Sequence, residues 1–260
     1  MKSVMITGAG SGIGRELAFE FGKAGYKLLL TDIDKVKLQE VQSVLRFLGI
    51  ESNIEVVDVS DWNDVYMFAC GRPTPDIIIN NAGIGFNGEM ADMTIDDWKK
   101  LISINLMGPI NHMCVFLPKM KERKSGHIVN VSSGQAFFRL PTWGAYAAIK
   151  TALGVISEVL SYELKKYNIK VTTVYPFMVN TPFYKEISGD TTAAKLSMKL
   201  LPLYSNTPQE VAKIILKATE KEKKVEMVSM LNHLGFAIRA FPPAAHIVDY
   251  LSNMLLTKRK

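Results

Sequence analysis

Cysteine is scarce in this chain. Among 260 residues there are two, Cys70 and Cys114, each in an apolar context. That argues against a disulfide framework and for a reducing compartment, with the cytoplasm the expected location. The four histidines, His112, His127, His233 and His246, are scattered. Neither they nor the cysteines show metal-ligand spacing, so no metal is expected. Long apolar runs are also missing: no stretch reaches eighteen residues, which argues against a spanning helix. Met1 and Lys2 lead straight into a strand-like run, with no apolar segment and cleavage site of a secretory signal. There is no internal repeat and no linker rich in proline, glycine or serine. One domain, 1–260, is the simplest organisation.

What is present is apolar and moderately charged: 48% hydrophobic and 22% charged residues, a balance that excludes disorder. The net charge is +6 but unevenly placed. Residues 221–260 hold seven positive and three negative charges, leaving only +2 for the remainder. A surface for nucleic acid would not be so localised, and no nucleic-acid partner is expected. A basic, apolar C-terminal stretch suits peripheral contact with an anionic membrane, and equally suits a solvated tail.

Strand-like runs recur at Ser3–Thr7, Lys27–Thr31, Asn53–Val59, Asp76–Asn80, His127–Ser132 and Ile169–Tyr175. They are apolar throughout rather than alternating, as in parallel strands covered on both faces. Helical patterns lie between them. Ile13, Leu17, Ala18 and Phe21 share one face, as do Leu153, Ile156, Leu160 and Leu164. This order predicts an α/β fold with an open, doubly wound parallel sheet. Thr207-Pro208-Gln209-Glu210 is a helix start, with Thr as cap, Pro at the first position and Glu three residues on. The helix should run to about Thr219, and Lys224 to Met230 can add a further strand.

Thr7-Gly8-Ala9-Gly10-Ser11-Gly12-Ile13-Gly14 joins the first strand to the first helix. Glycine lets such a turn bend sharply and approach a pyrophosphate closely, while the helix N-terminus offers N–H groups and a positive dipole end. Asp32 ends the second strand, eighteen residues after Gly14. A carboxylate there can bind both ribose hydroxyls and repel a 2′-phosphate, favouring NAD over NADP. Tyr146 and Lys150 are four residues apart and share one face of a helix. A nearby ammonium favours the phenolate, which would let the tyrosine exchange a proton with a carbonyl/alcohol pair.

Thr-Gly-x-x-x-Gly-x-Gly, Asn80-Asn81-Ala82-Gly83, Ser133, Tyr146-x-x-x-Lys150 and Pro176-x-x-Val179-x-Thr181 together resemble the short-chain dehydrogenase/reductase family in its classical branch. The likeness covers roughly residues 1–182 and the helix from Thr207. It implies a Rossmann-type, three-layer α/β/α domain. It further implies a catalytic set of Asn105, Ser133, Tyr146 and Lys150. Ser133 would polarise the substrate oxygen, with Ser132 less favoured, and Asn105 would hold a water linking Lys150 to solvent. Cofactor contacts would come from Gly8, Ser11, Gly12, Ile13, Gly14, Asp32, Asp58, Val59, Asn81, Ala82, Gly83, Tyr146, Lys150, Pro176, Val179 and Thr181. Ser11 stands where NADP-preferring relatives often carry a basic residue. Phe177 replaces the family's usual glycine and would place a ring near the substrate mouth.

Residues 183–206 occupy the position of the family's substrate loop and include Phe183, Tyr184, Ile187, Leu196, Met198, Leu200, Leu201 and Leu203. Phe137, Phe138, Leu140 and Trp143 lie between Ser133 and Tyr146. Together with Phe177, such walls suit a lipophilic alcohol or ketone, such as a steroid, retinoid or fatty acyl derivative. The same side chains can instead belong to the core or to a subunit interface. The family often forms dimers or tetramers, so a homo-oligomer is expected. Residues 227–260 can lie on a membrane, close the pocket or pair subunits. The reading is thus an oxidoreductase using NAD, with NADP less favoured. Alternatives are an NADP-dependent carbonyl reductase or a non-catalytic nucleotide-binding regulator on the same fold.

Overall fold

Seven parallel strands form one sheet in the computed structural model, ordered β3-β2-β1-β4-β5-β6-β7. The structure describes residues 1–138, 141–181, 183 and 206–240. Leu140, most of the expected substrate loop (including Tyr184, Ile187, Leu196, Met198, Leu200, Leu201 and Leu203) and the tail from residue 241 lie outside the described residues. The strands are β1 (Ser3–Thr7), β2 (Lys27–Asp32), β3 (Ser52–Val56), β4 (Ile77–Asn80), β5 (Gly126–Val131), β6 (Ile169–Tyr175) and β7 (Val225–Met227). The helices are α1 (Gly12–Lys23), α2 (Lys35–Phe47), α3 (Trp62–Ala69), α4 (Ile95–Ile102), α5 (Gly108–Glu122), α6 (Gly144–Glu163), α7 (Pro208–Glu220) and α8 (Met230–Ala240).

The period-two alternation of a strand sorts the apolar runs between two layers. Val4, Ile6, Leu28, Leu30, Ile77, Ile79, Val129 and Val131 face one side with Leu17 and Phe21 of α1, Leu38 and Val41 of α2, and Val211 and Ile215 of α7. Met5, Ile78, Ile128 and Val171 face the other side, against Val65 and Phe68 of α3 and Met113, Phe116 and Met120 of α5. Both faces being covered explains why these strands read as continuous apolar runs.

The third strand stops earlier than its sequence suggests, at Val56 rather than Val59. Asp58 bends the chain away: its carboxylate accepts from Ser60 N at 2.8 Å and Ser60 Oγ at 2.6 Å, and its own N–H is taken by Asp64. Aspartate breaks a strand this way because its side chain mimics a backbone turn. The start of α7 is as expected. Thr207 and Glu210 cap each other reciprocally, satisfying two N–H groups that the helix cannot.

The helical stretch Ile95–Glu122 is long and apolar enough to cross a membrane. Its apolar side is nevertheless used by the core, where Leu101, Met113, Phe116 and Met120 are buried.

The chain runs outward from β1 to β2 and β3, then returns to place β4 on the other side of β1. The crossovers therefore diverge at β1 and β4, opening a crevice at their carboxyl ends. Behind it, a buried polar chain ties the layers together. Asn80 Nδ2 donates to Asn130 Oδ1 at 2.8 Å, Asn130 Nδ2 to Ser157 Oγ at 2.8 Å, and Ser157 Oγ to Leu153 O at 2.6 Å. Asn130→Ala strands the Asn80 donor in the core and removes the donor to Ser157. It should cost about 2–4 kcal/mol, read as a lower urea midpoint with an unchanged denaturant slope.

Candidate active site

Three main-chain segments meet at the crevice with no room for side chains. Gly8 adopts φ +66°, and a Cβ there would lie 2.8 Å from Ala82 Cα. Gly14, in the first turn of α1, presses on Gly8, and a Cβ would overlap the Gly8 carbonyl oxygen. Thr7 fastens the third segment. Its Oγ1 accepts from Asn81 N and Ala82 N, both at 3.0 Å, while Asn81 Nδ2 donates to Thr7 O at 3.0 Å. The α1 N-terminus opens here. Ser11 precedes it in extended conformation without capping it through its side chain, and the first turn holds no acidic residue. Its N–H groups and dipole are left without a side-chain cap or a carboxylate in the first turn, as an anion site requires.

The carboxylates near the glycine turn follow. Asp32 accepts from Gly10 N at 2.8 Å and from Asp34 N at 3.0 Å, which fixes its carboxylate beside the glycine turn. Asp34 caps α2 and pairs with Lys37 at 3.4 Å. Asp58 and Val59 line the wall opposite.

At the other end stand Tyr146 and Lys150, one helical turn apart on α6. The Tyr146 ring is held edge-to-face against Trp143 at 5.7 Å and meets Phe183 at 5.8 Å. Lys150 is 4% exposed; its Nζ lies 5.8 Å from the Tyr146 ring centre and donates to Val131 O at 3.0 Å. Burial pulls the Lys150 ammonium down to about 8. Geometry separates the two serines. Ser132 Oγ donates to Lys150 O at 2.7 Å, a bond internal to the scaffold. Ser133 Oγ accepts from Gln135 N at 3.2 Å, and its own proton has no acceptor among the described residues.

Asn105 sits in a π-helical bulge, Ser103–Met107, between α4 and α5. Such bulges are frequent at functional sites. Its Nδ2 donates to Ile84 O and Leu101 O, both at 3.0 Å, and its Oδ1 accepts from Ile84 N at 3.2 Å. The amide thus has no donor left for a water. It ties the loop after β4 to the bulge. Gly83 lies between: a Cβ there would be 2.6 Å from Asn105 Oδ1 and 3.5 Å from Lys150 Nζ.

One cavity of about 360 Å³ unites most of these groups. Gly8, Ser11, Gly12, Ile13, Asp32, Asp58, Val59, Asn81, Ala82, Gly83, Ser133, Tyr146, Lys150, Pro176, Val179 and Thr181 all line it. Gly14 and Asn105 lie behind the lining and shape it. Trp143 packs on Tyr146 and is not among the lining residues. Phe138 and Phe177 meet at a tilt with ring centres 5.3 Å apart, and neither is among the lining residues of the cavity. The backbone turns at Met178, which takes φ +50° and lines the cavity where Phe177 does not. Ile33, Asp34, Lys37, Val57, Ile84, Ile104 and Met178 also line it, beyond the residues expected from sequence. Asp34 and Lys37 could have been found, because a capped helix start directly after Asp32 must face the same crevice.

The model of the short chain dehydrogenase family matches residues 2–192. The chain belongs to this family. Similar proteins include the probable oxidoreductase EphD of Mycobacterium tuberculosis, 32% identical over 93% of this chain and 43% of that protein. The chain therefore spans less than half the length of that relative. Mouse dehydrogenase/reductase SDR family member 7B is 33% identical over 92% of this chain and 77% of that one. Among solved structures, a 3-oxoacyl-[acyl-carrier protein] reductase with bound NAD from Brucella melitensis is 29% identical. Its TM-score is 0.76, covering 87% of this chain and 89% of that one.

The short-chain dehydrogenase fold carries a testable charge at Lys150. Between pH 8 and 10.5 the folded lysine has lost its proton while the unfolded one keeps it. The unfolded state then binds more protons, so this group makes stability rise with pH across that window. The Lys150→Met difference should show this directly: the variant's urea stability climbs less between pH 8 and 10.5 than the wild type's.

Proposed function

We propose that this chain transfers hydride between a nicotinamide cofactor and a lipophilic secondary alcohol or ketone, with NAD preferred. One observation carries the reading. A single cavity joins the uncapped α1 N-terminus and the Asp32 carboxylate at one end to Ser133, Tyr146 and Lys150 at the other. A dinucleotide fits that lining. The glycine turn packs so closely that a Cβ at Gly8 or Gly14 would strike neighbouring backbone, which leaves bare main chain and N–H groups for a pyrophosphate to approach. Asp32, already braced by two N–H groups, would take the ribose hydroxyls.

The cofactor supplies the hydride. The protein supplies position and a proton path. Tyr146 is the general acid/base, donating its phenol proton to a carbonyl oxygen or accepting one from an alcohol. Lys150 stabilises the phenolate through its charge, and its lowered proton affinity lets it pass a proton onward near neutral pH. Ser133 donates its free hydroxyl proton to the same substrate oxygen. Asn105 holds Ile84 and the loop beside Lys150. Pro176, Val179 and Thr181 close the nicotinamide end.

Ile84, Ile104, Met178 and Phe183 line the reacting end and support an apolar substrate. Exposed Val155, Val159 and Tyr162 along α6 support pairing with a second copy. Lys37, which lines the cavity near Asp32 and pairs with Asp34, is the feature among the described residues that favours a phosphate and so points toward NADP.

Tyr146→Phe should lower turnover of a secondary alcohol with NAD⁺ by about 10²–10⁴ while NADH binding, followed by nicotinamide fluorescence, stays within twofold. Unchanged turnover refutes the assignment. Titration of the wild type with NADH and NADPH should favour NADH. Asp32→Ala should erase that preference, whereas an initial preference for NADPH would transfer the decisive role from Asp32 to Lys37.

A further inference from the structure

Asn232 belongs to α8, beyond every recognised motif, yet it is fully buried against the β5–α6 connection. Its Nδ2 donates to Tyr175 O at the end of β6. Its Oδ1 faces Gly134, the residue after Ser133, so closely that a Cβ on Gly134 would collide with it. The Phe177 ring crowds the same face of the glycine, 2.6 Å from that Cβ position. Gly134 N donates to Pro176 O at 2.7 Å, which completes the grip. The helix is anchored around this point. Phe236 meets Phe137 edge-to-face at 5.5 Å, Phe137 meets Tyr175 at 4.8 Å, and Gly235 leaves room for the Phe138 ring.

We infer that Asn232 is a positioning residue, closing with Phe177 the space where a Gly134 side chain would be, clamping the glycine against its bond to Pro176 and so fixing where Ser133 presents its hydroxyl. The buried Oδ1 has no hydrogen-bond partner among the described residues. An amide accepts that cost when the other half of the group is needed, here as the donor to Tyr175 O. An apolar side chain of similar size would fill the space but leave that carbonyl without this donor. The clamp makes the reacting end depend on a helix far along the chain. Its catalytic consequence rests on the role proposed above for Ser133.

The test uses the full chain as wild type, Asn232→Ala, Asn232→Asp and Thr207→Ala, the last weakening the α7 cap elsewhere. Hydrogen exchange of the peptide covering 132–138 should quicken about tenfold or more in Asn232→Ala, with β1 and α1 unchanged. Thr207→Ala should not do this. In turnover of the alcohol used for Tyr146, kcat should fall about 10–100-fold with NADH affinity held within twofold. Asn232→Asp loses the donor as a carboxylate and regains it when protonated. Its kcat relative to wild type should therefore climb as pH falls. Exchange that is unchanged, or equally fast in Thr207→Ala, overturns the clamp, as does a loosened loop with kcat intact. If Tyr146→Phe keeps full turnover while exchange still quickens, the chemistry assigned to Tyr146 falls and the clamp survives.

Discussion

The crevice that holds this site depends on a contact between backbones. Gly14 of α1 rests on the Gly8 carbonyl, Gly8 rests on Ala82, and Thr7 holds the loop after β4 with its single hydroxyl. Side chains at Gly8 or Gly14 would force these segments apart. The separation of α1 from β4 is set by that packing, and with it the width of the crevice. The sheet contributes the rest, because reversal of strand order at β1 leaves the crevice uncovered by any crossover.

The reacting end is built on a different principle, the burial of polar groups that answer one another. Lys150 sits almost wholly out of water, with its ammonium on Val131 O and its carbonyl accepting from Ser132. Desolvation lowers its proton affinity, and the same desolvation strengthens its field on the neighbouring ring. Asn105 spends its amide on Ile84 and Leu101, which shows how a polar residue inside a helix can serve the backbone of another loop.

Much of this was legible in the residues. Ile169–Tyr175 is a strand with the ends its pattern indicates, and Thr207 with Glu210 announced a helix that the fold contains. These features are local, and local chemistry decides them. The third strand was overextended because Val57 and Val59 read as strand residues, while Asp58 between them turned the chain. Trp143, Phe138 and Phe177 show a second limit. Their proximity in sequence to Ser133 and Tyr146 says nothing of which rings they meet, and that is set by partners such as Tyr146 for Trp143 and each other for Phe138 and Phe177. Asn232 was invisible for the same reason: its partner is a main-chain carbonyl 57 residues away, and carbonyls leave no mark in a sequence.

The two bonds between β5 and α6 form a closed loop. Ser132 reaches forward to the Lys150 carbonyl, and Lys150 reaches back to the Val131 carbonyl. A pair of crossed ties of this kind resists sliding as well as separation, so the strand end and the helix move as one rigid piece. The spacing between the two elements is then a property of the scaffold, already set before any ligand arrives. Little reorganisation would remain for the moment of reaction, and ligand-driven motion would be confined to segments outside this rigid piece.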